Sequence, residues 1–197
     1  MLRNVWRGIS SRDKRAWLTF LFRKDQSTRR GPEERIIAGD KGLSKEHMYQ
    51  DLFNRVAEEE RQFGSSLQPP CTEEQLRTLQ RRAKDELQAI PPEGYLEFLA
   101  LTNGLDWNGV VVYASETVPI VKHPDRSIAG LVEMNLNYRD DARFSDLLVL
   151  GSSGMDIYTY RLSTDAYEIY DEVPHELIET VPTFNELMTR ILTRSLQ

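Results

Sequence analysis

Side chains able to do chemistry are few in this sequence, and they are scattered. His47, His123 and His175 each lack a partner at metal-ligand spacing, so each reads as a surface residue rather than a ligand. Cys71 is the single cysteine and follows Pro69-Pro70 just ahead of a helix start. Such a place can lower a thiol pKa, but without a neighbouring base the residue reads as structural. The stretch Gly39-Asp40-Lys41-Gly42-Leu43-Ser44-Lys45 has the composition of a phosphate loop without its G-x-x-x-x-G-K-[ST] spacing. Gly151-Ser152-Ser153-Gly154 fails the G-x-S-x-G of a nucleophile elbow and reads as a tight turn. Asp140-Asp141 and Asp171-Glu172 are paired acids with nothing converging on them. No catalytic set assembles, and neither a cofactor nor a metal is expected.

What stands out instead is charge. Residues 1–35 hold ten Lys/Arg and four Asp/Glu, a balance of +6, which leaves −12 on the remaining chain out of a total of −6. Between Lys84 and Lys122 there is no Lys or Arg, while Asp85, Glu86, Glu93, Glu97, Asp106 and Glu116 are acidic. Between Arg161 and Arg190 the absence recurs, with Asp165, Glu168, Asp171, Glu172, Glu176, Glu179 and Glu186. Two windows of one sign can make a negative face that steers a basic partner. Tyr158, Tyr160, Tyr167 and Tyr170 interleave with the second window, and tyrosine favours interfaces. Strand alternation would instead turn half of them into the core. An acidic body does not suit phosphate contacts, so no nucleic acid is expected on it.

The elements that must position these groups follow from periodicity. Residues 1–22 mix Trp6, Ile9, Trp17 and Phe20 with arginines at near-helical spacing, and residues 23–45 read as linker. A basic amphipathic helix can touch an anionic membrane surface, but packing on its own domain, or a loosely held extension, is the favoured reading. From Met48 a helix runs to Gly64. A capping box at Thr72 and Gln75 opens a second, and Pro91-Pro92 opens a third that stops at Asn103-Gly104. Trp107-Asn108-Gly109 reads as a hairpin turn into the strand Val110–Ala114. Residues 126–139 read as a helix, and Leu147–Leu150 as a short strand ending at the Gly151–Gly154 turn. Ile157–Leu162 and Tyr167–Asp171 form a second hairpin about Ser163–Ala166. Thr183 and Glu186 cap a closing helix. Helices, then strands, then a helix predict an α+β fold with an N-terminal helical extension.

Pro69-Pro70 with Thr72-Glu73-Glu74-Gln75-Leu76, Pro91-Pro92-Glu93-Gly94-Tyr95-Leu96-Glu97-Phe98-Leu99, Thr102-Asn103-Gly104-Leu105 and Asn108-Gly109 resemble the SUKH superfamily, and more narrowly its YrhA-type branch. The Leu148–Gly151 strand, the Tyr158-Thr159-Tyr160 strand and the Thr183–Leu187 helix start continue the likeness. It spans 48–197 and leaves 1–47 as a basic extension and linker. The resemblance implies a mixed or antiparallel sheet flanked by helices. It further implies a bacterial immunity protein, which binds and neutralises a cognate toxin domain stoichiometrically, with no catalysis of its own. Contact residues differ between members of that family, so none carries over. If the toxin is a nuclease its cleft is basic, and an acidic face could occupy the phosphate path.

The interface is accordingly expected at Asp106, Trp107 and Glu116 near the first turn, and at Tyr158, Asp165, Tyr167, Glu168, Tyr170, Asp171 and Glu172 on the second hairpin. An intracellular scaffold or regulatory module without a toxin is the alternative reading, since fold does not fix function. A 40% apolar, 28% charged composition excludes a wholly disordered chain. No apolar run approaches the roughly 20 residues of a spanning helix. One cysteine fits a reducing, cytoplasmic setting.

Overall fold

The structure, a computed structural model, describes residues 45–196, with side chains from Tyr49. The expected basic helix of residues 1–22 and the linker after it, up to residue 44, lie outside the described residues. Helix α1 (Lys45–Gln62) begins before Met48, so the expected domain boundary falls inside it. Tyr49, Phe53 and Val56 recur at helical spacing and are buried. Phe53 meets Phe98 edge-on at 6.1 Å.

Helix α2 (Glu73–Leu87) starts where its residues dictate. Gln75 N–H donates to Thr72 Oγ1 at 3.2 Å, and Thr72 N–H donates to Gln75 Oε1 at 2.9 Å. It buries Leu79, Ala83 and Leu87, then stops at Gln88 in the left-handed region, ahead of Pro91-Pro92. Those prolines lead into α3 (Glu93–Leu99), whose Tyr95, Phe98 and Leu99 enter the core. Tyr95 OH donates to the carbonyl of Tyr113 at 2.7 Å, which pins α3 to the sheet.

Eight strands follow: β1 (Leu105–Trp107), β2 (Val110–Val112), β3 (Val118–Ile120), β4 (His123–Ile128), β5 (Leu147–Ser153), β6 (Asp156–Arg161), β7 (Ala166–Asp171) and β8 (Leu177–Val181). Six form one antiparallel sheet in the order β1-β2-β5-β6-β7-β8, and β3 with β4 forms a separate antiparallel ribbon. The class is α+β, and between the named alternatives the sheet is antiparallel. Trp107 pairs with Val110 across Asn108 and Gly109, both at positive φ, as the hairpin reading requires.

Two expectations need correcting. Residues 126–139 are not one helix: Arg126–Ile128 belong to β4, and α4 covers only Leu131–Tyr138. Ala129 O accepts from Ala114 N–H, and Leu131 N–H donates to Ala114 O, each at 2.9 Å, so the backbone there is committed to a bridge with Ala114, two residues past β2. Gly151–Ser153 is also not a turn but the second half of β5, with Gly151 opposite Val112. A Cβ on Gly151 would lie 2.3 Å from Val111 O, so the close approach of β2 needs glycine here.

Asn135 of α4 completes the sheet where β2 ends. Its Nδ2 donates to Val149 O and its Oδ1 accepts from Val149 N–H, both at 2.8 Å, and it is fully buried. α5 (Phe184–Ser195) lays Phe184, Leu187, Met188 and Ile191 over Val112, Leu150 and Tyr158, a close-packed seam without room for a ligand.

Candidate interaction surface

The second hairpin is built from β6 and β7, with Tyr158 opposite Ile169, Thr159 opposite Glu168 and Tyr160 opposite Tyr167. Two of the four tyrosines are buried, but not by alternation, which sets Tyr158, Tyr160 and Tyr167 on one face and Tyr170 on the other. Tyr158 and Tyr167 are buried, Tyr167 meeting Phe184 of α5 at 5.9 Å. Tyr160 and Tyr170 stay half-buried. Tyr160 OH donates to Asp165 at the hairpin turn, and burial together with that carboxylate pushes its phenol up to about 12.

Glu168, expected to face a partner, is instead only 6% exposed. Arg161 donates to it from Nε and from Nη2, each at 2.9 Å, and Tyr170 OH donates to its Oε2 at 2.8 Å. Arg161 Nη1 also reaches Asp146 Oδ2 at 3.2 Å, and the Ser163 hydroxyl donates to the same oxygen at 2.5 Å. These two bonds, Ser163 first, hold the Asp146 carboxyl below the usual range. Glu168 is the inner half of an ion pair across β6 and β7.

The ten expected residues do not gather into one patch. Asp165 lies at the turn end of β7 and Asp171 at the other end, six residues or about 20 Å away. Asp106 and Trp107 belong to β1, four strand steps or roughly 19 Å across the sheet from β7. Trp107 is buried, and Asp106 accepts from Arg126 Nη2 at 2.7 Å. Glu116 is exposed beside α2, within 3.4 Å of Gln75 Nε2. Cations from outside the acidic windows also enter them: Arg82 pairs with Glu86, and Arg190 with Glu179. The two windows are therefore separate surfaces, each partly neutralised.

One part of the second window remains charged and uncovered. Two connections lie side by side at the end of the sheet away from Asp165, joined by a 2.8 Å bond from Glu172 N–H to Met155 O. The first carries Met155, 76% exposed, and the second Val173, 80% exposed. Asp171, Glu172 and Glu176 accompany them and form no ion pair among the described residues. Asp171 Oδ1 accepts Val173 N–H at 2.8 Å, and Asp171 N–H donates to Glu176 O at 2.9 Å, which shapes the loop. Leu177 and Ile178, about half exposed, continue the apolar surface into β8.

Asp171 and Glu172 are thus brought together with Glu176 and with four apolar side chains, Met155, Val173, Leu177 and Ile178, none of which was among the expected interface residues. The signal was present in Asp171-Glu172-Val173-Pro174-His175-Glu176-Leu177-Ile178, where aliphatic residues interrupt a run of acids. Among the described residues, no group of three or more His, Cys, Asp or Glu is placed to hold a metal, and no helix is long and apolar enough to cross a membrane. The chain matches no protein-family model, and no curated protein matches it.

Proposed function

We propose that this chain is a binding protein that neutralises a basic toxin domain by one-to-one docking, the role its resemblance to SUKH immunity proteins implies. The observation that carries the reading is the exposed tip, where Met155 and Val173 stand among Asp171, Glu172 and Glu176. Large apolar side chains rimmed by charge are an interface composition. Carboxylates without ion pairs leave their field available to draw in a cation-rich surface. The antiparallel α+β architecture supports the resemblance as far as fold class goes. Work of this kind places the chain in the cytoplasm, where a toxin acting on internal substrates must be met.

The test is co-expression with the product of the gene immediately upstream of its own, followed by size-exclusion chromatography. Co-elution at equal molar amounts is expected. Separate elution of the two, with partners recovered from housekeeping complexes instead, would favour a scaffold without a toxin.

A further inference from the structure

The six-stranded sheet has two edges, and they are not alike. At one edge, β1 is only three residues long, its middle residue Asp106 is held by Arg126 from the β3–β4 ribbon, and the turn after it is held by a 3.0 Å bond from Asn108 Nδ2 to Ser195 O. At the other, β8 pairs inward with β7 through Val181, Thr180, Glu179 and Leu177, and no strand lies on its outer side among the described residues. Edge strands are ordinarily blunted by lysine or by an inward charge. Leu177–Val181 holds no lysine, presents Leu177 and Ile178 half exposed, and its one carboxylate, Glu179, is tied to Arg190 of α5 at 2.9 Å.

We infer that β8 is a docking rail, along which an extended, lysine- or arginine-bearing segment of a partner protein adds to the sheet as a seventh strand. The inference rests on the reading of the chain as a binder of a basic protein. Strand addition supplies backbone hydrogen bonds for affinity, while alternate side chains set specificity. Aliphatic side chains of the incoming strand cover Leu177 and Ile178, and its cations meet Glu176, Glu172 and Asp171 at the entrance to β8. The same charges argue against a second copy of this chain as occupant. Parallel self-pairing would set a second group of these carboxylates beside the first, where like charges repel, and antiparallel self-pairing would leave both groups without a cation.

The full-length, isotope-labelled chain is to be titrated with a capped octapeptide alternating valine and lysine, and with its valine–glutamate counterpart, while backbone amide resonances are followed. Saturable shifts concentrated on Ile178, Glu179 and Thr180 are expected for the lysine peptide, with binding weakened at least about tenfold in Ile178→Lys and in Glu176→Lys. Both sites are exposed, and circular dichroism checks that each variant stays folded. Equal binding of both peptides, shifts away from β8, undiminished binding in both variants, or a concentration-dependent dimer through β8 would each overturn the inference. Neutralisation of a toxin by a chain that ignores the lysine peptide would overturn the rail and leave the proposed function standing. Peptide bound on β8 by a chain that neutralises nothing would do the reverse.

Discussion

Arg161 of β6 and Glu168 of β7 meet side-on, the guanidinium donating from Nε and Nη2 to the two separate oxygens of one carboxylate, each at 2.9 Å. Paired donors in a plane are the geometry in which arginine binds carboxylates best. The pair is embedded, since the glutamate is buried and Tyr170 OH closes its open side. An acid that looks available in the sequence is thus part of the scaffold.

Glu168→Ala should therefore act on stability and not on recognition. Removing it strips Arg161 of its main partner at a half-buried site, at a cost of roughly 2–3 kcal/mol. A chemical-denaturation midpoint measures that loss. The association rate with a partner should stay within about twofold of the parent, because no field at the tip changes.

Asn135→Leu removes a side chain that stands in for a missing strand. Val149 N–H and C=O would be left buried and unpaired, and Leu131 O would lose a 2.8 Å bond from the same amide. The expected loss is about 2–4 kcal/mol, although the two side chains have the same branched outline of heavy atoms. Asn135→Asp keeps the bond from Val149 N–H, but its second oxygen can donate to Val149 O only when protonated, so part of the stability should return at acid pH. Equal losses in the two variants at acid pH would show that packing, and not the hydrogen bonds, sets the cost.

Acid should weaken the fold in a defined window. Hydrogen bonds from the Arg143 side chain, then from its backbone N–H, hold the Asp141 carboxyl at about 2. Its folded pKa lies below its unfolded value near 4. The stabilisation is then fully present above about pH 4–5 and is lost as pH falls towards 2. Asp146 is depressed in the same direction by Ser163 and Arg161. Urea midpoints at pH 5 and pH 2.5 should differ less in Asp141→Asn than in the parent. Both side chains are solvent-exposed, so the difference should be small.

Glu172→Lys with Glu176→Lys reverses charge at the tip while sparing Asp171, which shapes the loop through Val173 N–H. Stability should shift by no more than about 0.5 kcal/mol. Association with a basic partner should slow by about tenfold or more at low salt, and its salt dependence should flatten. Reversing Asp165 alone, at the far end of β7, should leave the rate nearly unchanged. The opposite ranking would move the electrostatic face to the hairpin turn.

Much of the architecture was legible because local chemistry decided it. Thr72 with Gln75, and Asn108-Gly109 between apolar residues, each fix a backbone geometry within four residues. The ribbon β3–β4 and strand β8 were missed for the complementary reason. His123–Ser127 is exposed throughout, and Leu177–Val181 alternates poorly, so neither carries a period of two. The site was less legible than the fold. Alternation did not sort the tyrosines: Tyr160 shares a face with Tyr158 and Tyr167, yet beside the hairpin turn it stays half-buried. Nothing within a window of acids reveals that Arg161, Arg126 or Arg190 will reach in from outside it. Ion pairing is a long-range outcome, and net charge along a sequence is not a surface potential.

The most direct measurement is a titration of the product of the gene immediately upstream, assayed for toxin activity as the full-length chain is added. A linear fall to zero at one equivalent is expected, with a tenfold excess of toxin escaping inhibition. Full activity at several equivalents of chain, or silencing of many toxin equivalents by one chain, would overturn neutralisation by binding.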